Sequence, residues 1–196
     1  MVPNVDSPGV MMRDGMNDER CFNGFLLGDE SGLRVLMDRY GDSLTLYING
    51  YLHDIHESED LMIESFSRVI AKRPRLVAGG FRPYLYKTAR NLALRHLERS
   101  RRTLSFELLE LEPEDERRVE TTVFSTDVSR IVRDCLDELP ADYREALYLV
   151  YIEGMSYERA AEVMGKSRKQ VDNLIARGKV AMKPLLVKKG VTDAFD

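Results

Sequence analysis

Apolar residues recur at three- and four-residue intervals along most of this chain, the spacing of one face of an α-helix. Leu33, Leu36, Met37 and Tyr40 share such a face, and beyond Gly41 it continues through Leu44, Tyr47, Ile48, Tyr51 and Leu52. The helical pattern begins near Cys21. A further helix is expected from about Ser58, with Leu61, Met62, Phe66, Val69 and Ile70 inward, ending before Pro74. Residues 73–83 contain Gly79-Gly80 and read as a loop. Proline suits a first helical turn, so the next helix is placed from about Pro83 to Arg101, with Leu85, Ala89, Leu92, Ala93 and Leu97 inward. The pattern resumes at Val128, Ile131, Val132, Cys135, Leu136 and Leu139 and stops at Pro140. It restarts through Tyr143, Leu147 and Val150 and ends at Gly154.

Residues 156–177 then read as two short helices joined by a tight turn. Ser156 can accept from free backbone N–H groups at the first helix start, and Glu158 puts negative charge near its positive end. Gly165 suits a left-handed stop. Ser167 opens the next helix, and Gln170 three residues on completes a capping box. Val171, Leu174, Ile175 and Met182 share one face; Arg168, Lys169, Asn173, Arg177 and Lys179 lie mostly off it. An apolar inner face under a basic, amide-bearing outer face suits a helix that enters a DNA major groove. The plainer reading is a helical hairpin with a solvated charged side. Pro184 is expected to end or bend the last helix.

The predicted fold is all-α: two small helical domains joined by an acidic linker, the C-terminal one a helix-turn-helix. Residues 1–20 mix Pro, Gly, Asp, Asn and Met without periodicity and read as a flexible leader. Residues 21–102 form the first helical domain, 103–126 an acidic linker broken by Pro113, and 127–190 the second domain.

Charge sharpens this picture. The net charge of −4 argues against a nucleic-acid partner only until its distribution is seen. From Ser65 to Arg102 eleven Lys and Arg face one acid, Glu98, and from Lys166 to Lys189 eight face one, Asp172. Two basic segments therefore sit inside an acidic protein. Cys21 and Cys135 are far apart and lack paired metal-ligand spacing, so neither a disulfide framework nor a zinc site is expected. His53, His56 and Glu57 lack the His-Glu-x-x-His arrangement of a helical metal site. No apolar run approaches the roughly 20 residues that span a bilayer, and the N-terminal residues lack a signal-peptide core. A cytoplasmic protein without a cofactor is expected. There is no Gly-rich phosphate loop and no Ser/His/Asp or Cys/His arrangement, so an enzyme is not expected.

Three segments resemble the sigma-70 family, in particular its extracytoplasmic-function group, over about Phe25 to Lys183. The segment from Ser58 to Phe66 (SEDLMIESF) is similar to the family's acidic helix. That likeness implies that Glu59, Asp60, Leu61, Glu64 and Phe66 dock on core RNA polymerase. The segment from Tyr84 to Arg102 (YLYKTARNLALRHLERSRR) resembles its promoter −10 recognition and strand-opening signature, and Leu139–Ala146 with the helix-turn-helix resembles its −35-reading module. The resemblance implies a non-enzymatic initiation subunit that binds core RNA polymerase and promoter DNA, often held inactive by an anti-sigma factor. Tyr84 stands where the family commonly carries Trp, and the chain has no Trp. Asp172 stands where a basic residue is frequent.

The chemistry agrees with that expectation. Capturing bases as they unstack needs cations for the phosphates and flat or amide groups for the bases. Tyr84, Tyr86, Lys87, Arg90, Asn91, Arg95 and Arg99 supply that set for the −10 strand. Arg168, Lys169, Gln170, Asp172, Asn173, Arg177 and Lys179 are the candidates on the recognition helix, with Arg168, Lys169 and Asn173 favoured for base edges and Arg177 and Lys179 for phosphates. The competing readings leave Tyr84 and Tyr86 in a core, or make the chain a stand-alone helix-turn-helix regulator. The second leaves the basic segment from Ser65 to Arg102 without a role.

Overall fold

The computed structural model describes residues 17–107 and 127–191, and among these every regular element is helical. Four helices form an N-terminal group: α1 (Asp18–Leu26), α2 (Glu30–Leu52), α3 (Ile55–Lys72) and α4 (Phe81–Glu107). The C-terminal group holds α5 (Asp127–Asp137), α6 (Ala141–Leu147), a π-helical turn (Tyr148–Ile152), α7 (Tyr157–Met164) and α8 (Arg168–Lys188).

Short polar side chains start most of these helices by accepting from otherwise unsatisfied N–H groups. Asn17 accepts from Glu19 N at 2.8 Å, Asp29 from Ser31 N at 3.1 Å and Asp54 from Glu57 N at 3.0 Å. α4 lacks a local polar cap. Its first N–H, from Phe81, donates instead to the buried carboxylate of Glu19 on α1 at 2.9 Å. That capping across the chain fixes where α4 begins, two residues before the Pro83 start that sequence indicates. Helices α2 and α3 end on left-handed residues, His53 at φ 56° and Arg73 at φ 44°.

The expected helical faces turn inward. Leu36, Leu44, Tyr47 and Ile48 of α2 pack with Leu61, Phe66 and Val69 of α3 and with Phe81, Leu85, Ala89, Leu92 and Ala93 of α4. In the C-terminal group, Cys135, Leu136, Leu147, Leu149, Val163, Met164, Val171, Ile175 and Met182 do the same. Gly32 lets α2 pass against α1, because a Cβ there would overlap the Cys21 carbonyl oxygen.

Several boundaries differ from expectation. α4 continues to Glu107, five residues into the segment read as linker; the rest of that segment, 108–126, lies outside the described residues. Residues 1–16 of the expected leader also lie outside them, and Asp18–Arg20 belong to α1. Pro184 does not end α8, which runs on to Lys188. The two groups also pack directly, mainly through α4 against α7 and α2 against α6, where the sequence indicates domains related only by a tether.

Candidate nucleic-acid interface

The C-terminal helix-turn-helix is built as its residues dictate. Ser156 accepts from Arg159 N at 3.3 Å to start α7, and Gly165, at φ 64°, stops it. Ser167 accepts from Gln170 N at 3.3 Å while Gln170 Oε1 accepts from Ser167 N at 2.7 Å, closing the capping box. The cap uses one lone pair of that oxygen and leaves both N–H donors of the Gln170 amide outside the capping box. Val171 and Ile175 are buried beneath, with Leu174 half-buried. Gly178 is buried against Leu147 of α6, an approach that sequence alone did not single out.

Arg168, Lys169, Gln170, Asp172, Asn173 and Arg177 are all exposed along α8. Arg168 pairs with Glu158 of α7 at 2.6 Å, which ties the two helices of the motif together on their outer side. The pKa of Glu158 is lowered from its ordinary value, first through backbone and Ser156 hydrogen bonds at the start of α7 and further through Arg168. Lys179 turns aside: its ammonium lies 4.8 Å from the centre of the half-exposed Tyr151 ring.

On α4 the candidates divide. Lys87, Asn91, Arg95 and Arg99 are exposed, and Tyr84 is half-buried. Tyr86 has no exposed surface; its ring packs 5.1 Å from that of Tyr47, and its hydroxyl lies 2.9 Å from Ser43 Oγ. In this conformation Tyr86 is a core residue and offers no face to a base. Arg90 does not point to solvent either. Its Nε donates to Glu145 Oε1 of α6 at 2.8 Å, and Tyr47 donates to the same oxygen at 2.8 Å.

Arg82, at the start of α4, donates to Glu153 Oε2 at 2.8 Å, and its guanidinium lies 6.0 Å from the centre of the Tyr40 ring. Arg82 Nε is buried without an acceptor, which leaves this pair incompletely satisfied. Burial works against the charge of Arg90, but the attraction of Glu145 and the hydrogen bond to it outweigh that and raise its pKa. The same balance, with Glu153 as partner, raises that of Arg82. Burial, helped by Glu145 beside Tyr47 and by Glu153 beside Tyr86 and Tyr148, holds these three hydroxyls well above the ordinary tyrosine range.

On α3, Glu59 and Asp60 are exposed, and Glu64 is half-buried and ion-paired with Arg68 at 2.6 Å. Leu61 and Phe66 are buried in the helical core, so they position α3 and present no surface to a partner. Ile63 is 52% exposed beside the acids, a position that its apolar side chain does not suggest from sequence. Sequence likewise does not single out Glu145 and Glu153. Their signal is an acid on an apolar row, since both stand four residues from the fully buried Leu149.

No helix among the described residues is long and apolar enough to cross a membrane. The family described as Sigma-70 region 2 matches residues 36–103, and that described as Sigma-70, region 4 matches residues 129–182. The chain is 30% identical to the probable RNA polymerase sigma-C factor of Mycobacterium bovis, over 67% of this chain and 71% of that protein. It is 23% identical to the ECF RNA polymerase sigma factor SigM of Bacillus subtilis, over 79% and 94% respectively. In fold it is similar to the sigma factor RpoE of Bartonella quintana, solved with the anti-sigma factor NepR. The TM-score is 0.65 and the identity 20%, with 79% of this chain and 96% of that one covered.

Proposed function

Because the chain belongs to the extracytoplasmic-function group of the sigma-70 family, carrying a region 2 and a region 4 in that order, we propose that it binds core RNA polymerase and reads promoter DNA at two separate places. It is an RNA polymerase sigma factor for promoter recognition, a subunit with no catalytic step of its own.

The observation that carries the assignment of roles is the pairing of two basic helices, α4 and α8, in the two matched regions. On α8, Arg168, Lys169 and Asn173 are assigned to base edges at the −35 element, and Arg177 to phosphates. Lys179 is assigned to packing on Tyr151. On α4, Lys87, Asn91, Arg95 and Arg99 are assigned to the −10 strand, with the half-buried Tyr84 as the nearest aromatic for stacking. One stacked base is worth roughly 1–3 kcal/mol, comparable to the cost of unstacking a step, so a few such contacts tip a melting equilibrium that polymerase already biases. Glu59, Asp60 and Glu64, together with the exposed Ile63, are assigned to the polymerase-facing side of α3. The work takes place in the cytoplasm, and an anti-sigma factor is the expected regulator, as RpoE of Bartonella quintana has in NepR.

Run-off transcription from fragmented genomic DNA, with core RNA polymerase in the presence and absence of the chain, tests this reading. Discrete new transcripts are expected, and their start sites will align on both promoter elements. Tight duplex binding by the chain alone, with no transcripts, would instead make it a stand-alone regulator.

A further inference from the structure

Asp172 is the one acid among eight Lys and Arg between Lys166 and Lys189, and the roles assigned above leave it without a task. Lys169, Asp172, Asn173 and Ala176 stand at i, i+3, i+4 and i+7 of α8, so they share one face, and all four are exposed. Val171, Ile175 and Met182, on the opposite side, are buried in the core. Val180, 76% exposed, extends the outward row by one more turn. Phosphates have no use for an apolar side chain, whereas base edges in the major groove offer thymine methyl groups. The outward row therefore fits base edges better than the backbone of a duplex.

A bare carboxylate on such a row has no local explanation. The helix places Arg168 one turn before Asp172, at the i, i+4 spacing that pairs opposite charges. Arg168 is drawn instead to Glu158 of α7, at 2.6 Å. Among the described residues no hydrogen bond or ion pair holds the Asp172 carboxylate. Asp172 also lies beyond the first turn of α8, which carries no acid although the positive helix end would favour one there. It therefore stabilises neither a neighbouring cation nor the helix start.

A carboxylate at neutral pH accepts hydrogen bonds and donates none. In the major groove cytosine presents only a donor, its N4 amino group. Guanine presents only acceptors, thymine an acceptor and a methyl group, and adenine sets its N7 acceptor beside its amino donor. The Asp172 oxygens match cytosine and meet opposing lone pairs on the other three. We propose that Asp172 is a specificity determinant of the −35 contact, selecting a cytosine by accepting from its N4, and that Glu158 is its positioning residue, keeping Arg168 off the carboxylate. The inference rests on the assignment of α8 to the −35 element.

Transcription by the holoenzyme tests it. A promoter located by run-off transcription is rebuilt as a library with each −35 position randomised in turn, and transcripts are counted by sequencing. The wild-type chain is expected to favour cytosine, on one strand or the other, at one −35 position by at least about five-fold, the low end of what a base contact is worth. Asp172→Ala should level that position and leave the rest of the profile as it was. Asp172→Asn should move the preference to adenine, whose N6 and N7 an amide matches. Glu158→Gln releases Arg168 toward Asp172 and should weaken the cytosine preference by less than Asp172→Ala does. A wild-type profile with no such cytosine, or one that neither Asp172 variant changes, would overturn the inference. So would a rise or fall equal on every template, which marks a charge acting on phosphates or on the fold. An unchanged profile with Glu158→Gln alone would overturn the part given to Glu158. If the wild-type chain directs no run-off transcripts at all, the promoter-reading role itself fails, and the inference with it.

Discussion

The type of a side chain suggests a role, but its surroundings decide it, and several candidates sit in surroundings that their type does not suggest. Ser167 behaves as its position indicates. Its hydroxyl holds the Gln170 N–H while Gln170 holds the Ser167 N–H, so the first turn of α8 is satisfied before any DNA arrives. Ser167→Ala should lower stability by about 1 kcal/mol, with Ser167→Asp restoring most of it, as measured by urea denaturation. Tyr86 shows the opposite case. Sequence placed it with Tyr84 as an aromatic for stacking, and the structure buries it completely between Ser43 and Tyr47. A helix repeats every 3.6 residues, so two positions only two apart point in different directions. Nothing in their identity says which one faces in.

At the scale of elements, helix existence follows from apolar spacing, and helix ends follow from caps. The start of α4 departs from the local pattern because its capping carboxylate, Glu19, comes from 62 residues away. Pro184 sits within α8 even though it removes a backbone donor, which single-residue preference would not allow. Gly32 shows how packing overrides propensity. Glycine inside a helix costs roughly 1 kcal/mol relative to alanine, so Gly32→Ala would be stabilising on propensity alone. The added Cβ would instead overlap the Cys21 carbonyl oxygen, a backbone atom that cannot swing aside. Overpacking typically costs about 1–3 kcal/mol. A fall in thermal midpoint is expected for Gly32→Ala, and a rise would show that α1 and α2 separate easily.

For the whole molecule, the contact between the two helical groups is the main feature. Tyr47, Tyr86 and Tyr148 lie together there, and burial is the first cause that holds their hydroxyls well above the ordinary value. Unfolded tyrosines ionise near pH 10. Above that pH the unfolded chain has released protons that the folded chain still holds, so stability present below about pH 10 is lost as pH rises toward the folded values. Each such tyrosine contributes a slope of up to ~1.4 kcal/mol per pH unit in that window. Urea midpoints should therefore be level on this account between about pH 8 and pH 9.5 and fall steeply by pH 11. Tyr47→Phe/Tyr148→Phe should flatten that fall.

Much of this protein is local chemistry and can be read along the chain. The helical faces, the capping box, the left-handed stop at Gly165 and the two basic segments depend on residues within a few positions of one another. They suffice for an all-α protein with a reading helix. The positions of Leu61, Phe66 and Tyr86 depend on which helix packs against which face. The pairing of Arg90 with Glu145, 55 residues away, and of Arg82 with Glu153, 71 residues away, depends on how two groups of helices dock. No periodicity encodes such a distance in sequence. Only the folded chain brings these charges close enough, in surroundings dry enough, for them to pair.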